Sequence, residues 1–228
     1  MNRGKKPGSN QLALLDSGDE FTANFDQFGQ AVRYNPEVKL PFYVQKHQAT
    51  RLHYDFRLNW GGVLKSWAVP SGPSYNPEER REAIQVFDHS LHSGKFEGII
   101  PPENNGAGTV MVWDQGVWAP HLDCYDVTRC LREGHIRFTL FGSKLKGNWR
   151  LLLIDPAFRK RKARWQLIKE QDAFAYTDTA RSITEDKPHS IVTGRSLDQI
   201  TWKNLGLKKQ CRQEQSSRHE ERALFLLK

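Results

Sequence analysis

The sequence predicts a mostly β fold, a small closed antiparallel barrel with short flanking helices. Three observations carry that prediction: short runs in which apolar and polar residues alternate, Gly- and Pro-rich turns between the runs, and few long helical stretches before residue 170. The chain has 228 residues, of which 38% are hydrophobic and 11% aromatic, with seven Trp. That is enough for one substantial core.

The elements follow in order. Residues 1–39 are polar and weakly patterned, which reads as a flexible or wrapping N-terminal arm. Residues 42–58 form one long strand, or two broken near Ala49, and Gly61-Gly62 turns the chain into a strand over 63–69. Pro70, Gly72 and Pro73 end it. A polar helical turn over 76–82, with Pro77 in its first turn, precedes a strand over 84–89. Residues 109–113 and 117–118 read as a hairpin about Asp114-Gln115-Gly116, and Gly134 and Gly147 lead into strands over 135–140 and 149–154. Residues 165–169 are the last strand. Ser196-Leu-Asp-Gln199 is a capping box for a short helix toward Trp202, and residues 201–228 read as a helical or disordered basic tail. Residues 40–200 are thus expected to form one barrel domain with a basic C-terminal extension.

Composition excludes several classes. No run of 18 apolar residues occurs, and no apolar segment follows the basic start, so neither a membrane span nor a secretory signal is expected. A cytoplasmic protein with no membrane partner is the expectation. Cys124, Cys130 and Cys211 match neither a disulfide framework nor a common zinc spacing and read as reduced thiols. Residues 40–155 carry 13 Lys and Arg against 12 Asp and Glu, whereas residues 156–228 carry 16 against 9. Nearly all of the +8 net charge therefore lies in the last third, where Arg159, Lys160, Arg161, Lys162 and Arg164 cluster. Such a cluster is either a solvated basic loop or a surface for a polyanion, most economically nucleic acid.

The chemistry concentrates in Gln45 to Leu58, QKHQATRLHYDFRL. In a strand, Leu52, Tyr54, Phe56 and Leu58 take one face while Arg51, His53, Asp55 and Arg57 line the other. Alternate residues stand roughly 7 Å apart, so these long side chains can converge on one ion or one phosphate. Imidazole and carboxylate suit a divalent metal, and an Arg fork suits a phosphate. The competing reading is a solvated face with cross-strand charge pairing. His47 offers a further nitrogen, and His89, at the end of the 84–89 strand, is placed to face His53 and Asp55 across the closed sheet. Asp88 reads as an acceptor that could orient His89. His121, His135, His189 and His219 fall outside these rows and read as structural or exposed.

The run QKHQATRLHYDFRL, together with GVLKSWAVPSGP, VFDH, FEGIIP, GAGTVMVWDQGVW and KLKGNWRL, resembles the 3′-phosphoesterase module of bacterial ATP-dependent DNA ligase D. The similarity runs over residues 40–200. It implies a small β-barrel with a manganese-dependent site, although zinc or another transition metal suits the same donors. It also implies a freestanding hydrolase that heals DNA 3′ ends in break repair by removing a terminal ribonucleoside and then the 3′-phosphate. By motif, the implied metal ligands are His47, Asp55 and His89. The implied catalytic residues are His53, Arg57 and Arg81, with Gln45, Arg57 and Arg81 contacting phosphate. The implied partners are DNA primer-template or RNA/DNA 3′ ends, end-joining proteins such as Ku, a ligase and a polymerase, and a nucleoid-associated setting. The chain departs from the family pattern at Phe87, where a Glu is usual, at Ser93 for Tyr, at Ser71 for Lys, and at ENNGAG over residues 103–108. These departures leave open a catalytically weakened relative that binds DNA ends or a repair partner.

Overall fold

A computed structural model of the chain describes residues 37–124, 126–177 and 182–201. The expectations for the arm before residue 37 and for the tail beyond residue 201 lie outside the described residues. Nine strands are present: β1 (Leu40–Gln48), β2 (Leu52–Trp60), β3 (Val63–Val69), β4 (Arg81–Gln85), β5 (Gly98–Ile100), β6 (Gly108–Pro120), β7 (His135–Gly142), β8 (Lys146–Asp155) and β9 (Arg164–Lys169). They pair in the order β1-β2-β3-β4-β9-β8-β7-β6-β5, and an added β1–β6 pairing closes eight of them into an antiparallel barrel. The ninth, β5, pairs only with the start of β6. Closure removes the free edges that would otherwise invite association. Among the described residues no helix is long and apolar enough to cross a membrane.

The break near Ala49 is real and tight: residues 49–51 form the bend, and His47 comes to lie opposite His53. Both central glycines of the next turn have positive φ, 62° at Gly61 and 79° at Gly62, and a β-carbon there would be strained. Alternation then sorts β2. Tyr54, Phe56 and Leu58 enter a core with Trp67, Trp113, Trp118, Phe138 and Trp149, all buried. Each such side chain contributes roughly 1.5–3 kcal/mol of transfer free energy. The intervening Asp55 and Arg57 face away from that core.

Four expectations are corrected. Residues 108–120 form one continuous strand, not a hairpin about Asp114-Gln115-Gly116. The Asp114 carboxylate accepts the backbone N–H groups of Lys144 and Leu145, and Gly116 lets the Phe141 carbonyl approach where a β-carbon would lie 2.2 Å from it. Tertiary hydrogen bonds and close strand contact thus outweigh local turn propensity. Residues 76–82 make only a single turn, closed by Glu79 N–H to the Asn76 carbonyl, and the strand that follows runs Arg81–Gln85, stopping short of His89. Cys124 and Cys130, expected as free thiols, are paired, with Cα atoms 6.1 Å apart.

Two helices were not anticipated from sequence. The first, α1 (Val127–Glu133), is capped by Asp126, whose side chain accepts Arg129 N–H, and ends at Gly134 in the left-handed region. The second, α2 (Ile183–Asp186), carries a reciprocal Ser182–Glu185 capping box. The expected Ser196–Gln199 box is also formed, with both reciprocal bonds present and helix from residue 197 to 201.

Candidate active site

Gln45, His47, Asp55 and Arg57 project from β1 and β2 on the side opposite the aromatic core, yet all four are buried, His47 to 5%, Asp55 to 7% and Arg57 to 6% exposure. Isolated buried charge is expensive, so the partners must be accounted for. Asp55 Oδ2 lies 3.5 Å from His47 Nδ1 and 3.1 Å from Arg57 Nη2, while Asp55 Oδ1 lies 3.5 Å from His53 Nε2. Burial raises the Asp55 pKa, but hydrogen bonds from His47 and His53 and the Arg57 charge outweigh it and hold the carboxyl below its ordinary value. It is ionised at neutral pH. The hydrogen bond to Asp55 leads the causes that raise His53 above the usual histidine value.

The Arg57 guanidinium is fixed at three points: Nε donates to Gln45 Oε1 at 3.0 Å, Nη1 to Ser66 Oγ at 3.2 Å and Nη2 to Asp55. Gln45 is held in turn, its Nε2 donating to the carbonyls of Ser93 and Phe96, each at 2.9 Å. Those carbonyls belong to a strap over residues 89–97 that includes a 3₁₀ turn, Leu91–Lys95, and lies against β1 and β3. Gly94 in the strap seats directly on the Tyr43 ring.

His89 enters the site from this strap. It does not face His53 across the barrel: a bridge to Leu64 of β3 brings it in over the outer face, where its Nδ1 lies 3.2 Å from Ser66 Oγ. Burial and the nearby Arg57 charge lower its pKa. Asp88 does not orient it. The Asp88 carboxylate instead forms an ion pair with Lys65 at 2.7 Å.

Three donors converge on one point. Ligand atoms of His47, His53 and Asp55 all lie within 4.8 Å of one another, the one group of three or more such side chains among the described residues. His89 is therefore near the site but outside this compact set, whereas His53, expected to act on phosphate, is inside it. The buried Nε2 of His47 has no hydrogen-bond partner, a cost that coordination would relieve. His53 Nδ1 sits 3.0 Å from the Arg51 carbonyl, and in the tautomer that donates there the Nε2, on the Asp55 side, is the nitrogen left to ligate a cation. A backbone carbonyl fixing the tautomer of a ligating imidazole is a recurrent feature of metal sites. The donor set fits a divalent transition metal.

The remaining expected residues sit elsewhere. Arg81 opens β4 and pairs with Glu79, its Nε is buried without a partner, and among the described residues no hydrogen bond or ion pair joins it to Asp55, Arg57 or His89. Arg159 to Lys162 occupy the β8–β9 connection, and Arg164 opens β9. Arg164 pairs with Glu82 at 2.8 Å and Arg161 approaches Asp155 at 3.6 Å, while Lys160 and Lys162 are exposed. Ser66 and the strap carbonyls were missed from sequence. Ser66 had a signal, since alternation in β3 sets it opposite Trp67, on the Asp55 and Arg57 side.

Comparison with known proteins points to one family. Residues 45–153 match the family model described as the DNA ligase D 3′-phosphoesterase domain. The chain is similar to the multifunctional non-homologous end joining protein LigD of Pseudomonas aeruginosa, 41% identical over 191 residues, which is 84% of this chain and 22% of that protein. Its similarity to the multifunctional non-homologous end joining DNA repair protein LigD of Mycobacterium tuberculosis is 34% over 161 residues, 69% of this chain and 20% of that protein. The LigD of Mycolicibacterium smegmatis is 37% identical over 118 residues, 49% of this chain and 15% of that protein. The chain spans about a fifth of the length of the first two of these relatives.

Proposed function

Because residues 45–153 belong to the DNA ligase D 3′-phosphoesterase domain family, we propose that this protein is a metal-dependent phosphoesterase that heals 3′ ends of DNA in break repair. Its substrates would be strands of a primer-template ending in a 3′-phosphate or a 3′-terminal ribonucleoside. The observation that carries the reading is the convergence of His47, His53 and Asp55 beside a buried, three-point-anchored Arg57.

His47, His53 and Asp55 would hold the cation, manganese in the reading favoured by the resemblance, and the cation when bound would supply Lewis-acid polarisation of a phosphoryl oxygen. Arg57 retains N–H groups beyond its three bonds and can pair with the phosphate without reorganising, which is the condition under which a donor stabilises developing charge most effectively. His89, with its pKa lowered, is largely neutral near pH 7 and can accept or deliver a proton at the edge of the same site. Arg159, Lys160, Arg161, Lys162 and Arg164 would contact duplex phosphates away from the reacting end. Ku, a polymerase and a ligase are the partners that complete end joining in this reading.

The test is direct. Purified protein with Mn²⁺ and a 3′-phosphate primer-template should yield a 3′-hydroxyl strand, and His47→Ala should abolish it. No product with Mn²⁺, Mg²⁺, Co²⁺ or Zn²⁺ would overturn the enzymatic reading. One observation favours a non-catalytic DNA-end binder instead: where a phenol is usual, the Ser93 hydroxyl is turned back onto the Ser90 carbonyl at 2.6 Å and offers the site nothing. End binding without turnover would be its signature.

A further inference from the structure

Phe87 is 86% exposed, the most exposed large hydrophobic side chain among the described residues, and it lies two residues from His89. Leaving a phenyl ring in water forgoes its burial free energy, so its position calls for a physical reason.

The local backbone supplies one. Val86 N–H donates to the Ser66 carbonyl at 3.0 Å, and Leu64 and His89 exchange both backbone hydrogen bonds, at 2.8 and 3.1 Å. Between these anchors Phe87 and Asp88 together oppose the single residue Lys65, which is a β-bulge. Bulges re-aim side chains and concentrate beside functional sites. This one is pinned on both flanks, by the Lys65–Asp88 ion pair and by the His89 ring, whose Nδ1 lies 3.2 Å from Ser66 Oγ. The aromatic ring is thus presented to solvent from a fixed backbone that itself touches the candidate phosphate site.

We propose that Phe87 is a stacking platform for the nucleobase of the 3′-terminal nucleotide, which makes it the residue that distinguishes a nucleic acid end from a bare phosphate ester. This rests on the phosphoesterase reading. A strand whose terminal phosphate meets Arg57 carries its base one sugar away, and an exposed aromatic there gains what a free surface cannot, a flat apolar partner. Because every base has a π face, the contact is indifferent to sequence, which suits an enzyme that must accept any broken end. A phenyl ring has no charge, so the platform adds affinity that persists at high salt, unlike contacts from the basic loop.

The experiment crosses the side chain with the base. Full-length protein and its Phe87→Leu and Phe87→Trp variants are assayed with Mn²⁺ on 3′-phosphate primer-templates ending in an ordinary or an abasic residue. Phe87→Leu should raise KM about tenfold on the base-bearing end, within the range of one stacked base, leave kcat within about twofold, and change nothing on the abasic end. Phe87→Trp should restore the wild-type KM. In parallel, 2-aminopurine at the 3′-terminal position should change fluorescence on binding to the wild type and the Trp variant but not to the Leu variant. An equal KM change on both ends, or none on either, overturns the proposal. If the wild type turns over no 3′-phosphate, the phosphoesterase reading fails, and the 2-aminopurine titration still decides whether Phe87 holds a base.

Discussion

Gly94→Ala would test whether the strap over residues 89–97 positions the site. A methyl group at residue 94 would lie 2.4, 2.7 and 2.8 Å from three carbons of the Tyr43 ring, against ordinary contacts of 3.4–4 Å, so strap and ring must separate by about 1 Å. Tyr43 is 6% exposed on β1 and cannot simply swing away. The strap moves instead, and with it the Ser93 and Phe96 carbonyls that hold Gln45 Nε2 at 2.9 Å. Adding about 1 Å takes both bonds beyond hydrogen-bond range. Gln45 then no longer anchors Arg57 Nε.

Two magnitudes follow. Overpacking of this kind costs about 1–3 kcal/mol of stability, read as a lower urea midpoint with unchanged slope. Misplacement of a catalytic group by about 1 Å costs on the order of 100-fold in turnover of a 3′-phosphate primer-template. Lys95→Ala, one residue along on an exposed side chain, is the control and should leave both unchanged. Wild-type turnover and midpoint in Gly94→Ala would refute the role of the strap.

Three further outcomes are expected. Arg57→Lys keeps the charge but loses the bonds to Gln45 and Ser66, so kcat should fall by about 100-fold or more with the far-UV spectrum retained; near-normal kcat would remove Arg57 from the mechanism. Neutralising Arg159, Lys160 and Lys162 to Gln should reduce the slope of log binding constant against log salt by about 2 to 3 for duplex DNA, and an unchanged slope would exclude that loop from the interface. Burial lifts the fully buried Asp114 carboxyl from 3.8 to about 6, against amide hydrogen bonds from Leu145 and Lys144 that lower it. The native state then holds that proton more tightly than the unfolded chain, so this group stabilises the fold increasingly as pH drops from above 6 toward 4, by up to about 3 kcal/mol at 1.36 kcal/mol per pH unit. Asp114→Asn should remove that gain in urea unfolding compared at pH 7.5 and pH 4.5; an identical pH dependence in the variant would refute it.

What was readable from the sequence depended on the range of the interaction involved. Strands β2 and β3 were legible because alternation and Gly61-Gly62 are local, and the same alternation assembled Asp55 and Arg57 on one face before any coordinates. Residues 108–120 were misread because the groups that satisfy Asp114 come from the β7–β8 turn, some thirty residues away, and no local rule counts them. The helix α1 had local signals in Asp126 and Gly134, but a seven-residue element carries too little periodicity to stand out.

The histidines show the same division more sharply. His47 and His53 are directly paired across a three-residue bend, so their approach, with ring centroids 4.8 Å apart, follows from register alone. His89 depends on a bulge, a strap and a bridge to Leu64, none visible in composition or spacing, and placing it across the barrel assumed an unbroken strand over 84–89 that the bulge interrupts. A three-residue bend fixes a ligand pair far more stringently than a long connection, since the entropy of closure grows with the chain between. The pair built by the bend is therefore the part of the site best suited to grip an ion, while the residue delivered by the strap is better suited to the edge, where a proton or a substrate must come and go.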